Sequence, residues 1–226
     1  MTSRQRQIEP GYIYHVLNRG VKRQQLFFCD DDYAAFEALV EETLERTPLA
    51  ILTYELMPNH WHFVAQPADN RELPDFFHDL TSTHAKRFHA ARNSTGEGHV
   101  YQDRYKSFPV ESDAHLLSLC RYVERNALQA GLVQGAEDWR WSGLWRRIRQ
   151  LDGWLKSDWP VPRPDDWIER VNERLTASEL ARIQTSVRCG RPLGTPEWTR
   201  TVAQQLGLQH TVRAPGRPRV FVRGGR

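Results

Sequence analysis

The order of apolar patterns along the chain predicts an α+β fold: a ferredoxin-like antiparallel sheet, βαββαβα, with helices on one face and a small C-terminal helical basic appendage. Three observations carry this. Strand-like runs rich in β-branched and aromatic residues fall at 12–20, 49–57, 60–66 and 105–112. Segments with three- and four-residue apolar spacing lie at 30–48, 73–93 and 112–132. Composition then shifts, since residues 182–226 hold nine arginines and one acid, Glu197, a net charge of +8 in a chain whose total is +3.

The first strand, YIYHVLNRG, closes on Asn18-Arg19-Gly20, a turn signal. The helix after it opens with Asp30, Asp31 and Asp32 at its positive end, places Phe36, Leu39, Val40 and Leu44 on one face, and stops at Pro48. LAILTYELM and HWHFVAQ form a hairpin about Pro58-Asn59. The second helix aligns Phe77, Leu80, His84 and Phe88, and a polar loop spans 93–98. YKSFPVES is a short fourth strand, with Pro109 implying an edge or a bulge because proline cannot donate to a central ladder. The third helix is expected to start at a Ser112 cap and stop at Gly131.

Beyond the sheet, EDWRWSGLWRRIRQ and the Trp/Pro-rich WLKSDWPVPRPDDW read as a covering over the core, since tryptophan is costly to expose. Thr176 and Glu179 make a capping box, and Thr195, Pro196 and Gly207 mark the cap, first position and stop of another helix. The expected division is a core domain over 8–150, a packed Trp/Pro-rich segment over 151–175, and a basic helical appendage with a flexible tail over 176–226.

Bulk properties narrow the function. Mean hydropathy of −0.66 and the lack of a long apolar run argue against a membrane span, and no apolar segment follows the N-terminal arginines, so a cytoplasmic, nucleoid-associated protein is expected. Cys29, Cys120 and Cys189 are odd in number and never spaced as a pair, which speaks against disulfides and zinc fingers. Arginine outnumbers lysine 27 to 4, and guanidinium forks suit phosphate, so a polyanion is the natural partner.

Within MPNHWHFV, strand alternation sends His60 and His62 to one face and Trp61 to the other. Two imidazoles side by side can reach one divalent cation, although spacing alone leaves this open against a chance pair on a half-buried strand. Tyr122 and Asn126 lie four residues apart on one helical face, where a phenol and an amide could meet the same site. A phenol can attack a phosphodiester when a metal polarises the phosphoryl oxygens. Imidazole and amide ligands with open positions suit Mg2+ or Mn2+, whereas zinc would more usually want another His or Cys.

YHVLNRG, MPNHWHFV, YQDRYKSFPV, YVERNALQAGLV and DWRWSG occur here in the order found in the REP-associated tyrosine transposases of the HUH nuclease superfamily, and over roughly residues 12–145 the chain resembles that family. The resemblance implies that His60 and His62 bind a divalent metal with Asn126 as third ligand, and that Tyr122 is the nucleophile. It implies metal-dependent cleavage and rejoining of single-stranded DNA at palindromic, REP-like hairpins through a 5′-phosphotyrosine, by a monomer or homodimer. Two departures stand out: Asn126-Ala127 where relatives commonly read Asn-Pro, and Tyr101-Gln102 where they read Trp-Gln.

Tyr101 and Tyr105 are rival nucleophiles, although beside Arg104 and Lys106 they could equally serve base or phosphate contacts. Arg104, Lys106, Arg191, Arg217 and Arg219 are the expected nucleic-acid contacts. His15, His84 and His89 read as core-edge or solvated side chains, and Lys86, Arg87 and Arg92 as a solvated face. A DNA-binding module or repressor that keeps the fold without chemistry is the alternative, and composition also allows RNA as substrate.

Overall fold

The computed structural model describes residues 7–151 and 153–212. Its elements follow the expected order: β1 (Ile13–Arg19), α1 (Asp30–Arg46), β2 (Ala50–Met57), β3 (His60–Gln66), α2 (Glu72–Ala91), β4 (Lys106–Val110) and α3 (Ala114–Glu124). The four strands form one antiparallel sheet in the order β2-β3-β1-β4. This is the split βαβ arrangement, and Pro109 lies on the edge strand as its missing N–H requires.

The placing of helices on one face needs correction. Tyr14, Val16, Trp61, Phe63 and Ala65 pack with α1 and α2, whereas Ile13, Leu17, Val64 and Phe108 pack with α3 on the opposite face. Both faces of the sheet are apolar, so both must be covered. The second layer is completed by α4 (Asn126–Gln129), α5 (Gly143–Ile148), α6 (Trp167–Asn172) and α7 (Ala177–Cys189), of which α5, α6 and α7 place Leu144, Trp167, Val171 and Ile183 in the same core.

The third helix also differs from expectation at both ends. Asp113, not Ser112, caps α3 by accepting from the His115 backbone N–H at 2.7 Å. The helix does not run on to Gly131: it ends at Glu124 and restarts at Asn126, with Arg125 serving as cap to both pieces. Gly131 still ends the second piece at φ 72, a left-handed turn that glycine accepts without strain.

The later segment follows its caps closely. Thr176 and Glu179 form the capping box of α7, and Thr195 caps α8 (Pro196–Gln205), which begins on proline; α9 (Gln209–Val212) follows. Leu193 donates to the Pro109 carbonyl at 2.9 Å and accepts from Glu111 N–H at 2.8 Å, covering that end of the β4 edge. The outer edge of β2 is covered by the DWRWSG stretch: Leu56 donates to the Trp141 carbonyl at 2.9 Å and Ser142 bridges Glu55. Gly143 is needed here because a Cβ would collide with Thr53 Oγ1. Among the described residues no helix is long and apolar enough to cross a membrane.

Candidate active site

The site lies on the α3 side of the sheet. Trp61 is fully buried on the opposite side, where its indole N–H donates to the Tyr101 hydroxyl at 3.1 Å, so β3 is anchored from beneath as alternation requires. His60 is half-buried and His62 is buried. Each has its Nδ1 engaged: His60 with Asn59 Oδ1 at 2.7 Å, and His62 with His15 Nε2 at 2.9 Å, the two rings stacking at 5.0 Å with 7° between planes. With Nδ1 of His60 donating to an amide oxygen, its Nε2 keeps a lone pair for a ligand.

Burial holds these imidazoles neutral. His60 is lowered to about 4 by burial and then by the charge of Arg19; His15 is lowered to about 3 by burial alone. His62 is driven well below the ordinary range by burial, with His15, His60 and Arg19 adding to it. A neutral imidazole is the metal-binding form.

Tyr122 stands over the histidines. Its ring is 5.9 Å from His62 and 6.5 Å from His15, at 88° to each. Burial raises its hydroxyl pKa, while the charge of Arg19 and the nearby Asn126 amide pull it back down. Among the described residues Asn126 Nδ2 makes no hydrogen bond of ordinary geometry although it is buried. The structure thus brings together His60, His62, Tyr122 and Asn126, from segments some sixty residues apart.

The rival tyrosines are in the other layer. Tyr101 bridges Trp61 and, at 2.7 Å, His84 Nδ1; Tyr105 packs against that same core and lies 5.4 Å from the Phe77 ring. His84 is buried there, and His89 ties the 93–98 loop through Ser94 Oγ at 2.9 Å and the Gly98 carbonyl at 3.1 Å. Arg87 and Arg92 join α2 to the α1 segment through Glu42 and Asp32, each at 2.6 Å.

Two residues of the site, Arg19 and Glu55, escaped sequence reasoning, and a third, His15, reads in the sequence only as a core-edge or solvated side chain. His15 supports His62, Arg19 pairs across from His60, and Glu55 pairs across from His62. Each lies on a neighbouring strand, so only strand register could have signalled it. Glu55 is fully buried and accepts from the Ala127 N–H at 2.5 Å; burial pushes its carboxyl far up, the Ala127 contact opposes this, and Glu124 adds to it. Glu124 is buried beside it, accepting from Thr53 Oγ1 at 2.5 Å and Trp167 Nε1 at 2.7 Å.

Arg104 and Lys106 line a groove of about 1280 Å3 between the β4 edge and the C-terminal helices, with Arg71 and Arg188 also on its walls. Arg191 is not among the residues lining it, and Arg217 and Arg219 lie outside the described residues. Among the described residues one group of three His, Cys, Asp or Glu side chains could hold a divalent ion: Glu111, Asp113 and His115, at the β4–α3 junction rather than beside His62. Two of its members have structural tasks, Asp113 as the α3 cap and Glu111 as acceptor of the Thr195 N–H at 2.6 Å.

A four-stranded split βαβ sheet carrying paired histidines under a helix-borne tyrosine defines the class, and the comparisons name the family. The chain belongs to the family described as Transposase IS200 like, whose model matches residues 10–126, just over half its length. It is 21% identical over 130 residues to a candidate REP-associated tyrosine transposase of Haemophilus influenzae, covering 54% of this chain and 74% of that one. Among solved structures, a REP-associated tyrosine transposase bound to a REP hairpin aligns with a TM-score of 0.53 at 18% identity, covering 78% of this chain and 99% of the other. The resemblance drawn from the five ordered motifs is borne out.

Proposed function

We propose that the protein is a metal-dependent tyrosine transposase that cleaves and rejoins single-stranded DNA at REP-like hairpins, with Tyr122 as nucleophile and His60, His62 and Asn126 as metal ligands. The observation that carries this is the perpendicular approach of the Tyr122 ring to His62 at 5.9 Å, with Asn126 one turn further along. The donor set fits a divalent cation. Both imidazoles are neutral and their Nδ1 atoms are already held, which leaves their Nε2 atoms for an ion, and the amide oxygen of the half-buried Asn126 would complete a set of two nitrogens and an oxygen suited to a hard or borderline ion such as Mg2+ or Mn2+.

In this reading the Tyr122 oxygen attacks the scissile phosphorus and gives up its proton. The bond from phosphorus to the 3′-oxygen breaks, that oxygen takes up a proton, and the products are a 5′-phosphotyrosine and a free 3′-hydroxyl. A 3′-hydroxyl attacking the phosphotyrosine reverses these steps and rejoins a strand without hydrolysis. When bound, the metal supplies charge that draws electrons from the phosphoryl oxygens and stabilises the departing oxygen. Arg19 favours loss of the phenol proton, and His15 fixes the orientation of His62. Lys106, Arg104 and Arg188 on the groove walls supply cationic contacts for the DNA backbone.

The test is incubation of the protein with a single-stranded hairpin oligonucleotide and Mn2+, followed by denaturing electrophoresis for a covalent adduct. The wild-type chain is expected to form the adduct and Tyr122→Phe to lose it. Adducts that survive Tyr122→Phe would exclude this nucleophile.

A further inference from the structure

We infer that Glu55 is a positioning residue for the metal site: by holding the backbone amide of Ala127, it fixes where the Asn126 side chain meets the histidine strand. This rests on the ligand assignment proposed above and adds to it a residue outside the ligand set.

The helix that carries Tyr122 and Asn126 is interrupted between them, α3 ending at Glu124 and α4 starting at Asn126. Ala127 is fully buried, so its amide needs an acceptor, and the acceptor is Glu55 Oε1 at 2.5 Å. Glu55 is directly opposite His62 in the β2–β3 ladder. One hydrogen bond therefore ties the residue after Asn126 to the strand position beside His62.

The support behind Glu55 is rigid. Its strand is paired with β3 on one side and covered by Trp141 and Ser142 on the other. Glu124, the neighbouring buried acid, is occupied by Thr53 and Trp167 and secures α3 rather than the Asn126 turn. Glu55 Oε2 has no partner among the described residues, so the side chain's hydrogen bonding there is directed at Ala127.

The departure at position 127 gains a physical reading. A proline there would have no N–H to offer, whereas the alanine of this chain presents a donor and β2 presents its acceptor. Proline is tolerated in a first helical turn, so Ala127→Pro removes this bond while leaving the carboxyl in place.

The experiment uses the full chain without DNA: Mn2+ affinity by electron paramagnetic resonance, and the thermal midpoint of the metal-free protein. E55L and A127P are expected to weaken Mn2+ binding about tenfold, the scale of losing a group that orients a ligand, and E55Q to stay within about twofold because its amide oxygen can still accept from Ala127. E55L or A127P binding Mn2+ as the wild type does overturns the inference, and so does E55Q as weak as E55L. If E55L fails to fold, A127P decides. H62A separates the two levels: Mn2+ binding unchanged in H62A overturns the ligand assignment itself and the role of Glu55 with it, whereas binding lost in H62A but intact in E55L and A127P overturns Glu55 alone.

Discussion

The Tyr101 hydroxyl accepts from Trp61 Nε1 at 3.1 Å and meets His84 Nδ1 at 2.7 Å, which places it across the sheet from His60 and His62. With burial raising its pKa well above the ordinary phenol value, Tyr101 is a core hydrogen-bonding group. Tyr101→Phe leaves a buried indole N–H and a buried imidazole nitrogen without their partner, and is expected to cost about 1–3 kcal/mol in a urea titration while retaining adduct formation. Loss of the adduct at unchanged stability would instead place Tyr101 in the chemistry.

His84 makes stability depend on pH. Burial lowers its folded pKa to about 4 from an ordinary value of 6.5, so between these values the unfolded chain binds the extra proton and acid favours unfolding. The contribution of neutral His84 is complete above 6.5 and is lost as pH falls toward 4. Taking the wild type from pH 7 to pH 5 should remove about 2 kcal/mol through this residue, and His84→Gln should show a correspondingly smaller fall in urea midpoint between the two pH values. Equal falls in both proteins would refute the assignment.

Local signals read well where the cause is local. The apolar face of α1, the Thr176–Glu179 box and the Thr195–Pro196 start depend on residues within a turn of one another. Strand alternation likewise separates His60 and His62 from Trp61. The second helical layer was hidden because histidines share a face with Val64 and disguise a buried surface as a half-exposed one. The interruption at Arg125 is tied to Glu55, some seventy residues earlier, and the support of His15 depends on register between β1 and β3. Neither has a signature in the sequence around it.

Two groups of side chains compete as cation sites, and a binding count distinguishes them. Asp113 and Glu111 already satisfy backbone donors, so Asp113→Ala is expected to cost about 1 kcal/mol as a missing helix cap and to leave Mn2+ stoichiometry unchanged. His62→Ala should reduce that stoichiometry. Calorimetric titration of both variants checks the pair, and the opposite pattern would move the metal to the β4–α3 junction.

The groove gives the last prediction, because affinity for a phosphate backbone carries its own salt signature. Removing one cation that meets a phosphate should lower the slope of log affinity against log salt by about 0.7 for single-stranded DNA. Lys106 and Arg188 line the groove from β4 and the end of α7, so the double change Lys106→Ala, Arg188→Ala is expected to lower that slope by about 1.4 if each meets one phosphate. Arg191→Ala, just beyond the lining, should change it little. Fluorescence anisotropy with a labelled hairpin oligonucleotide across a salt series measures both variants against the wild type. A reduced slope in the double variant and an unchanged one in Arg191→Ala would place the backbone along the β4 edge, whereas the reverse would move the DNA path out of the groove.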